Sequence, residues 1–251
     1  MVKDFSKHYK IKMITRKMYK TLIPISFTVL FTIGLLFAGS LGKKLNFEIS
    51  TNGYINGQFN YQIILLLITV ISILVTYLLN PQNFNNFFSF VQISAAGEEL
   101  KLFGIKKGDS WLRTGLSLSL VITTVTGIFM YFQARQANIN WSALQTGILW
   151  IILFSLTNSF GEEMIFRLGI ISPLKGLIAP MTIFLISAVL FGIPHFAGMP
   201  NGIIGATLAG ILGFVLAKSM YETNGFFWAW FIHFLQDLVI IGSLYLMHKV
   251  S

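Results

Sequence analysis

Three short patterns in the second half of the chain place ionisable side chains inside apolar runs: Glu162-Glu163-Met164-Ile165-Phe166-Arg167, Phe191-Gly192-Ile193-Pro194-His195 and His233-Phe234-Leu235-Gln236-Asp237. An Asp, Lys or Arg at the centre of a bilayer costs about 2.5–3.5 kcal/mol on the insertion scale. The chain has only nine acids, and three of them, Glu162, Glu163 and Asp237, lie in these runs. Two of its four histidines, His195 and His233, lie there too. Groups this costly, gathered in one half of the sequence, point to acid–base chemistry within a membrane. The bland reading is a polar network that only fixes helix packing.

Spacing assigns the roles further. Residues four apart on a helix share a face, so Glu163 can pair with Arg167, while adjacent Glu162 points about 100° away. Two neighbouring carboxylates in different environments are what acid–base catalysis needs. Glu162 is the better general base and Glu163 the better anchor. Phe191 and His195 share a face, and Pro194 removes a backbone donor and should kink the helix beside His195. His233 and Asp237 are again four apart. Asp237 would orient His233 through one ring nitrogen, or both would bind a metal or a water.

Other chemistries fit less well. The sequence has no HExxH zinc helix, no GxSxG nucleophile elbow, no rhomboid-type serine motif and one span aspartate instead of an aspartyl pair. With no cysteine it has no thiol nucleophile, thiolate zinc site or disulfide. The acidic pair Glu98-Glu99 lacks a matching arginine and reads as a solvated face.

The elements that must carry these residues are membrane-spanning helices. Hydrophobic residues make up 55% of the 251 and charged residues 11%, with mean hydropathy +0.73. Soluble domains have roughly 25% charged residues, so lipid must cover this surface. Spans need about 20 apolar residues. About seven are expected, at residues 21–39, 62–80, 111–133, 144–170, 179–197, 201–220 and 226–247, in an all-α polytopic bundle. Three regions follow: a basic flank over 1–20, the first two spans with their loops over 21–110, and a core over 111–247 that carries all three patterns. Residues 40–61 read as a loop. Over 81–110 apolar and charged residues mix as in an interfacial helix.

Rise per residue tests whether the patterns meet. At about 1.5 Å each, Glu162, His233 and Asp237 lie about 12, 10 and 16 Å from one membrane face, and His195 about 24 Å along its span. His195 joins the others only if its helix is tilted, kinked at Pro194 or starts later.

The net charge of +9 fits topology rather than nucleic acid. Lys3, Lys7, Lys10, Lys12, Arg16, Lys17 and Lys20 crowd the first twenty positions, as in a cytoplasmic flank beside a first span. With the N-terminus inside, Lys101, Lys106, Lys107, Arg113, Arg167, Lys175 and Lys218 join them, against Lys43, Lys44, Arg135 and Lys249 outside. No internal repeat of the transporter kind is evident. Gly205, Ala209, Gly213 and Ala217 form a small-residue stripe suited to close helix packing.

EEMIFR, FGIPH and HFLQD, in this order on successive apolar helices, resemble the EExxxR, FxxxH and HxxxN/D pattern of the CAAX protease and bacteriocin-processing (CPBP, Abi) family of intramembrane endopeptidases. The resemblance covers residues 110–247. It implies that Glu162 activates the attacking water, that His195 helps position it or move its proton, and that His233 and residue 237 stabilise the oxyanion. Glu163 and Arg167 would support the site. Many members carry Asn where this chain has Asp237, and an ionised Asp cannot donate to an oxyanion. Asp237 is then protonated, orients His233 or ligates a metal. Glutamate-activated water requires no cofactor; if zinc were bound, His195, His233 and Asp237 are its candidate ligands.

The expected partners are the lipid bilayer and a membrane-associated peptide or protein substrate, with no nucleic acid. The Lys-, Asn- and Ile-rich composition fits a bacterial cell membrane, and the resemblance then implies peptide maturation, bacteriocin processing or self-immunity. The competing classes are a non-catalytic scaffold or immunity protein of the same fold, and a proton-coupled transporter.

Overall fold

The structure, a computed structural model, describes residues 2–135, 139, 141–198 and 201–248. Among them seven helices are long and apolar enough to cross a membrane. The first is part of α1 (Val2–Leu45), the second is α2 (Gly53–Leu79), and the short α3 (Pro81–Phe87) follows. The third span is α4 (Trp111–Ala134). The fourth is composite: α5 (Ala143–Glu163), a π turn (Met164–Leu168) and α6 (Gly169–Leu174). The fifth is α7 (Pro180–Gly192) with a 3₁₀ turn (Ile193–Ala197). The last two are α8 (Gly202–Thr223) and α9 (Phe227–Met247). The all-helical bundle and its seven spans match the sequence expectation. Lys249, counted in the charge balance, lies outside the described residues.

Two expected boundaries move. The 40–61 loop shrinks to residues 46–52, because the asparagines after it end no helix. Asn52 caps α2 by accepting from the Tyr54 and Ile55 backbone N–H groups at 2.9 and 3.4 Å, as N-cap residues do. Asn56 and Asn60 reach back from α2 to the carbonyls of Ser50 and Phe47. The interfacial helix expected over 81–110 is confined to Pro81–Phe87. Gly104 and Gly108, with φ of 69° and 86°, turn the remainder into a hairpin-like clasp with bridges Ala96–Ser110 and Leu100–Ile105. Only glycine adopts such φ values without cost.

The clasp is tied down at several points. The Trp228 indole N–H donates to the Ile93 carbonyl at 2.7 Å, the Phe226 N–H to that of Ser89 at 2.9 Å, and Lys218 Nζ to that of Glu98 at 2.8 Å. Glu222 pairs with Lys218 and accepts from the Trp111 indole at 2.8 Å. The Glu98 and Glu99 side chains are exposed, as expected.

α9 packs against α4, α5 and α8, seating aromatic rings over glycines. A Cβ on Gly115 of α4 would stand 2.3 Å from Trp228, and one on Gly147 of α5 would stand 2.1 Å from Tyr245. The α7–α8 pair approaches as closely: a Cβ on Gly192 would lie 2.6 Å from the Ala206 carbonyl. In lipid, where apolar burial does not draw helices together, small residues allow this contact. The stripe on α8 divides its work. Gly213 and Ala217 are buried in packing, whereas Gly205 and Ala209 also face a cavity.

Overpacking a well-fitted contact costs about 1–3 kcal/mol. Gly115→Val and Gly147→Val are therefore expected to lower the melting temperature of the detergent-solubilised protein. Gly39→Ala, at an exposed site with open space around its Cβ, should not lower it. Equal melting temperatures for all three variants would show that these glycines do not set the helix contacts.

Candidate active site

Glu163, at the end of α5, is fully buried and makes two contacts. Its Oε2 lies 3.0 Å from Arg167 Nε, four residues on, and its Oε1 lies 2.7 Å from His233 Nδ1 on α9. A carboxylate only accepts, so Nδ1 of His233 carries the hydrogen and the ring turns Nε2 away from Glu163. The expected pairing of Glu163 with Arg167 is present. The orienting of His233 that the sequence offered to Asp237 falls to Glu163 instead. Asp237 Oδ1 lies 3.7 Å from His233 Nε2, beyond hydrogen-bond length. The cause is packing of α5 on α9, which brings in a closer carboxylate than any on α9 itself.

Arg167 sits in the π turn, where every residue is buried. Single π turns inside α-helices are frequent at functional sites. The turn disturbs the helical ladder, and the Phe166 carbonyl accepts from the Ser187 hydroxyl of α7 at 2.8 Å. The Arg167 guanidinium carbon lies over the Phe191 ring, 3.9 Å from its centroid. A desolvated cation over an aromatic face gains electrostatic attraction, which offsets the lack of hydrogen-bond partners at its Nη atoms among the described residues. Phe191 also touches the rings of His195 and His233, with centroids 4.5 and 5.4 Å away. The aromatic residue of the second pattern thus joins all three patterns.

Glu162 and Asp237 meet on the Nε2 side of His233. Glu162 Oε2 is 3.7 Å from Nε2, as is Asp237 Oδ1. The two carboxylates are bridged by Asn158, whose amide donates to Glu162 Oε1 and to Asp237 Oδ2, each at 3.1 Å. Sequence reasoning missed Asn158, although its position four residues before Glu162 was a readable signal. Glu162 Oε2 is buried and accepts no hydrogen bond among the described residues.

His195 is brought in by the change of helix type that Pro194 causes. α7 ends at Gly192 and continues as the 3₁₀ turn Ile193–Ala197, since proline cannot donate to the α ladder. Its Nδ1 lies 2.8 Å from the Phe191 carbonyl. His195, His233 and Asp237 line one cavity of about 290 Å³. Its other walls are mostly apolar residues of α4 and α8, among them Val125, Phe129, Leu208 and Leu212, with the polar Thr126 and Gln236. The third span, placed in the core by the sequence but without a pattern of its own, thus forms one side of the site.

Among the described residues no group of three or more His, Asp or Glu side chains has metal-ligand spacing. His233 donates from Nδ1 to Glu163, which leaves Nε2 as the nitrogen that faces Glu162 and Asp237.

Residues 143–239 match the family described as Rce1-like, type II CAAX prenyl endopeptidase. Over these residues the chain is similar to the CAAX prenyl endopeptidases. The match spans Asn158, all three patterns and α8, and leaves out α1 to α4. No curated protein and no solved structure matches the chain.

Removing one partner of a buried ion pair costs about 3–5 kcal/mol. Arg167→Met should therefore destabilise the folded protein by that order in denaturant titration in detergent, far more than Lys43→Met at the end of α1. A stability equal to that of the parent would show that Arg167 does not hold Glu163.

Proposed function

We propose that the protein is an intramembrane endopeptidase that hydrolyses peptide bonds of a membrane-associated peptide or protein with water activated by Glu162. The observation that carries this reading is the buried, unpartnered Oε2 of Glu162 beside Nε2 of His233, a histidine that lines a largely apolar cavity. A carboxylate oxygen without a partner takes up a water proton readily, and a general base typically contributes about 10²–10⁴-fold to rate.

In this reading water is held between Glu162 and His195. Glu162 removes its proton as the oxygen attacks the scissile carbonyl, and the proton then passes to the leaving amine. His233 donates from Nε2 to the developing oxyanion, a contact that gains strength where water is excluded. Glu163 holds His233 in the required orientation. Arg167 faces Glu163, and Nε2 of His233 faces Glu162 and Asp237. Asn158, a positioning residue, keeps Glu162 and Asp237 apart from each other while holding both at the cavity. No metal or other cofactor enters these steps.

The N-terminus is placed in the cytoplasm by the Lys and Arg imbalance, and the composition favours a bacterial cell membrane. There the substrate is a peptide or protein precursor, and the role is peptide maturation, bacteriocin processing or self-immunity. The alternative is a non-catalytic scaffold or immunity protein; the convergence of Glu162 and Asp237 on Nε2 of His233, which with His195 lines a cavity, favours the enzyme.

Membrane-peptide profiles of cells making the parent protein or Glu162→Gln at equal abundance test this directly. A peptide processed only by the parent is expected. A surviving phenotype with no altered peptide would instead identify a scaffold. Once a substrate is known, Asn158→Ala should lower its turnover about ten- to a hundredfold through misplacement of Glu162 and shift the pH profile. Chelation with EDTA should leave turnover unchanged, and its loss with recovery on adding zinc would overturn the metal-free mechanism.

A further inference from the structure

The site does not use the basic flank, and that flank is more than a topology signal. α1 has 44 residues and so runs about 66 Å, roughly twice the hydrocarbon thickness of a bilayer. Its N-terminal half therefore projects beyond the hydrocarbon. There Lys12, Arg16 and Lys20 fall four apart along one helical stripe, with Lys17 beside them, and all four are exposed. They line a cavity of about 800 Å³ whose opposite wall is the turn at Gly176 and Leu177, between α6 and α7.

That cavity continues into a second. Lys20 and Leu177 also line a narrower space of about 140 Å³ that leads past Ile23, Pro24, Leu79 and Pro173. Leu79 ends α2 and Pro173 lies one residue before the end of α6, so the second space sits where these spans leave the membrane. Together the two form one crevice, cationic where it lies outside the hydrocarbon and mostly apolar where it enters. Among the described residues no Asp or Glu lines either part. At the inner end Lys175 is already committed, bonding to Asn224 and to the Tyr221 carbonyl and lying over the Phe87 ring. It fixes the turn that forms the wall and leaves the α1 cations to meet a ligand.

We propose that this crevice is a binding site for an anionic phospholipid, with the headgroup phosphate against Lys12, Arg16, Lys17 and Lys20 and the upper acyl chain along Leu177, Ile23 and Leu79. A free phosphate would satisfy the cations but not the apolar continuation. A zwitterionic lipid would fill the apolar part but bring its own cation to the lysines. Juxtamembrane Lys and Arg attract anionic headgroups, and the crevice adds a shaped wall that an isolated helix lacks. The site lies apart from the Glu162 centre and does not depend on the proteolytic reading.

Native mass spectrometry of the full chain, released from detergent with equal phosphatidylglycerol and phosphatidylcholine of matched acyl chains, tests the site. The parent should retain phosphatidylglycerol about tenfold over phosphatidylcholine. Lys12→Gln/Arg16→Gln/Lys17→Gln/Lys20→Gln should lose that preference. Lys43→Gln/Lys44→Gln, which removes charge from the other end of α1, should keep it. Leu177→Trp leaves every charge in place, fills the shared wall and should also reduce retention; it decides the matter if the fourfold variant does not fold. Equal retention of the two lipids by the parent, undiminished preference in the fourfold variant, or full retention by Leu177→Trp would each overturn the proposal. Displacement of the lipid by inorganic phosphate would show a free-anion site and overturn it as well.

Discussion

The buried carboxylate of Glu163 constrains the rest of the molecule. A charge with no exposure to water must be neutralised and directed, and here one oxygen faces Arg167 while the other accepts from His233. Through these contacts α5, its π turn and α9 are locked in register, and through Phe191 under the guanidinium α7 is locked to them. Losing one partner would leave an uncompensated charge in a medium that solvates it poorly. The arrangement is therefore specified more strongly than apolar packing alone could achieve between lipid-covered helices.

Around that fixed centre the polar groups form two zones with different freedom. Glu163, Arg167 and the Nδ1 side of His233 are buried and held by an ion pair, a hydrogen bond and the Phe191 ring. Glu162, Asp237 and the Nε2 side of His233 face the other way, held by the single amide of Asn158 and left with unused hydrogen-bonding capacity. Functional sites in general combine the two: rigid support, and reactive groups held in place by it. The apolar walls from α4 and α8 exclude bulk water without competing for those groups.

The outer parts hold this core in place by means suited to a membrane boundary. The clasp after α3 supplies backbone carbonyls to Lys218 and to the Trp228 indole, so polar atoms near the ends of α8 and α9 are bonded rather than stranded. The extended basic start of α1 reaches beyond the spans and, with the α6–α7 turn, encloses the cationic crevice.

The sequence by itself determined the seven spans, the three patterns and the pairing of Glu163 with Arg167, because hydropathy and helical periodicity are local properties of the chain. It also signalled that Pro194 would disturb the helix at His195. Tertiary structure decided what depends on contact between helices: that Glu163 rather than Asp237 orients His233, that Asn158 bridges two carboxylates, and that α4 closes the cavity. Sequence spacing ranks partners on one helix, but a residue on a neighbouring helix can stand closer. The asparagines after α1 and the glycines of the clasp make the same point. Their types were visible, yet whether they ended a helix or bonded back to a loop depended on the backbone folded against them.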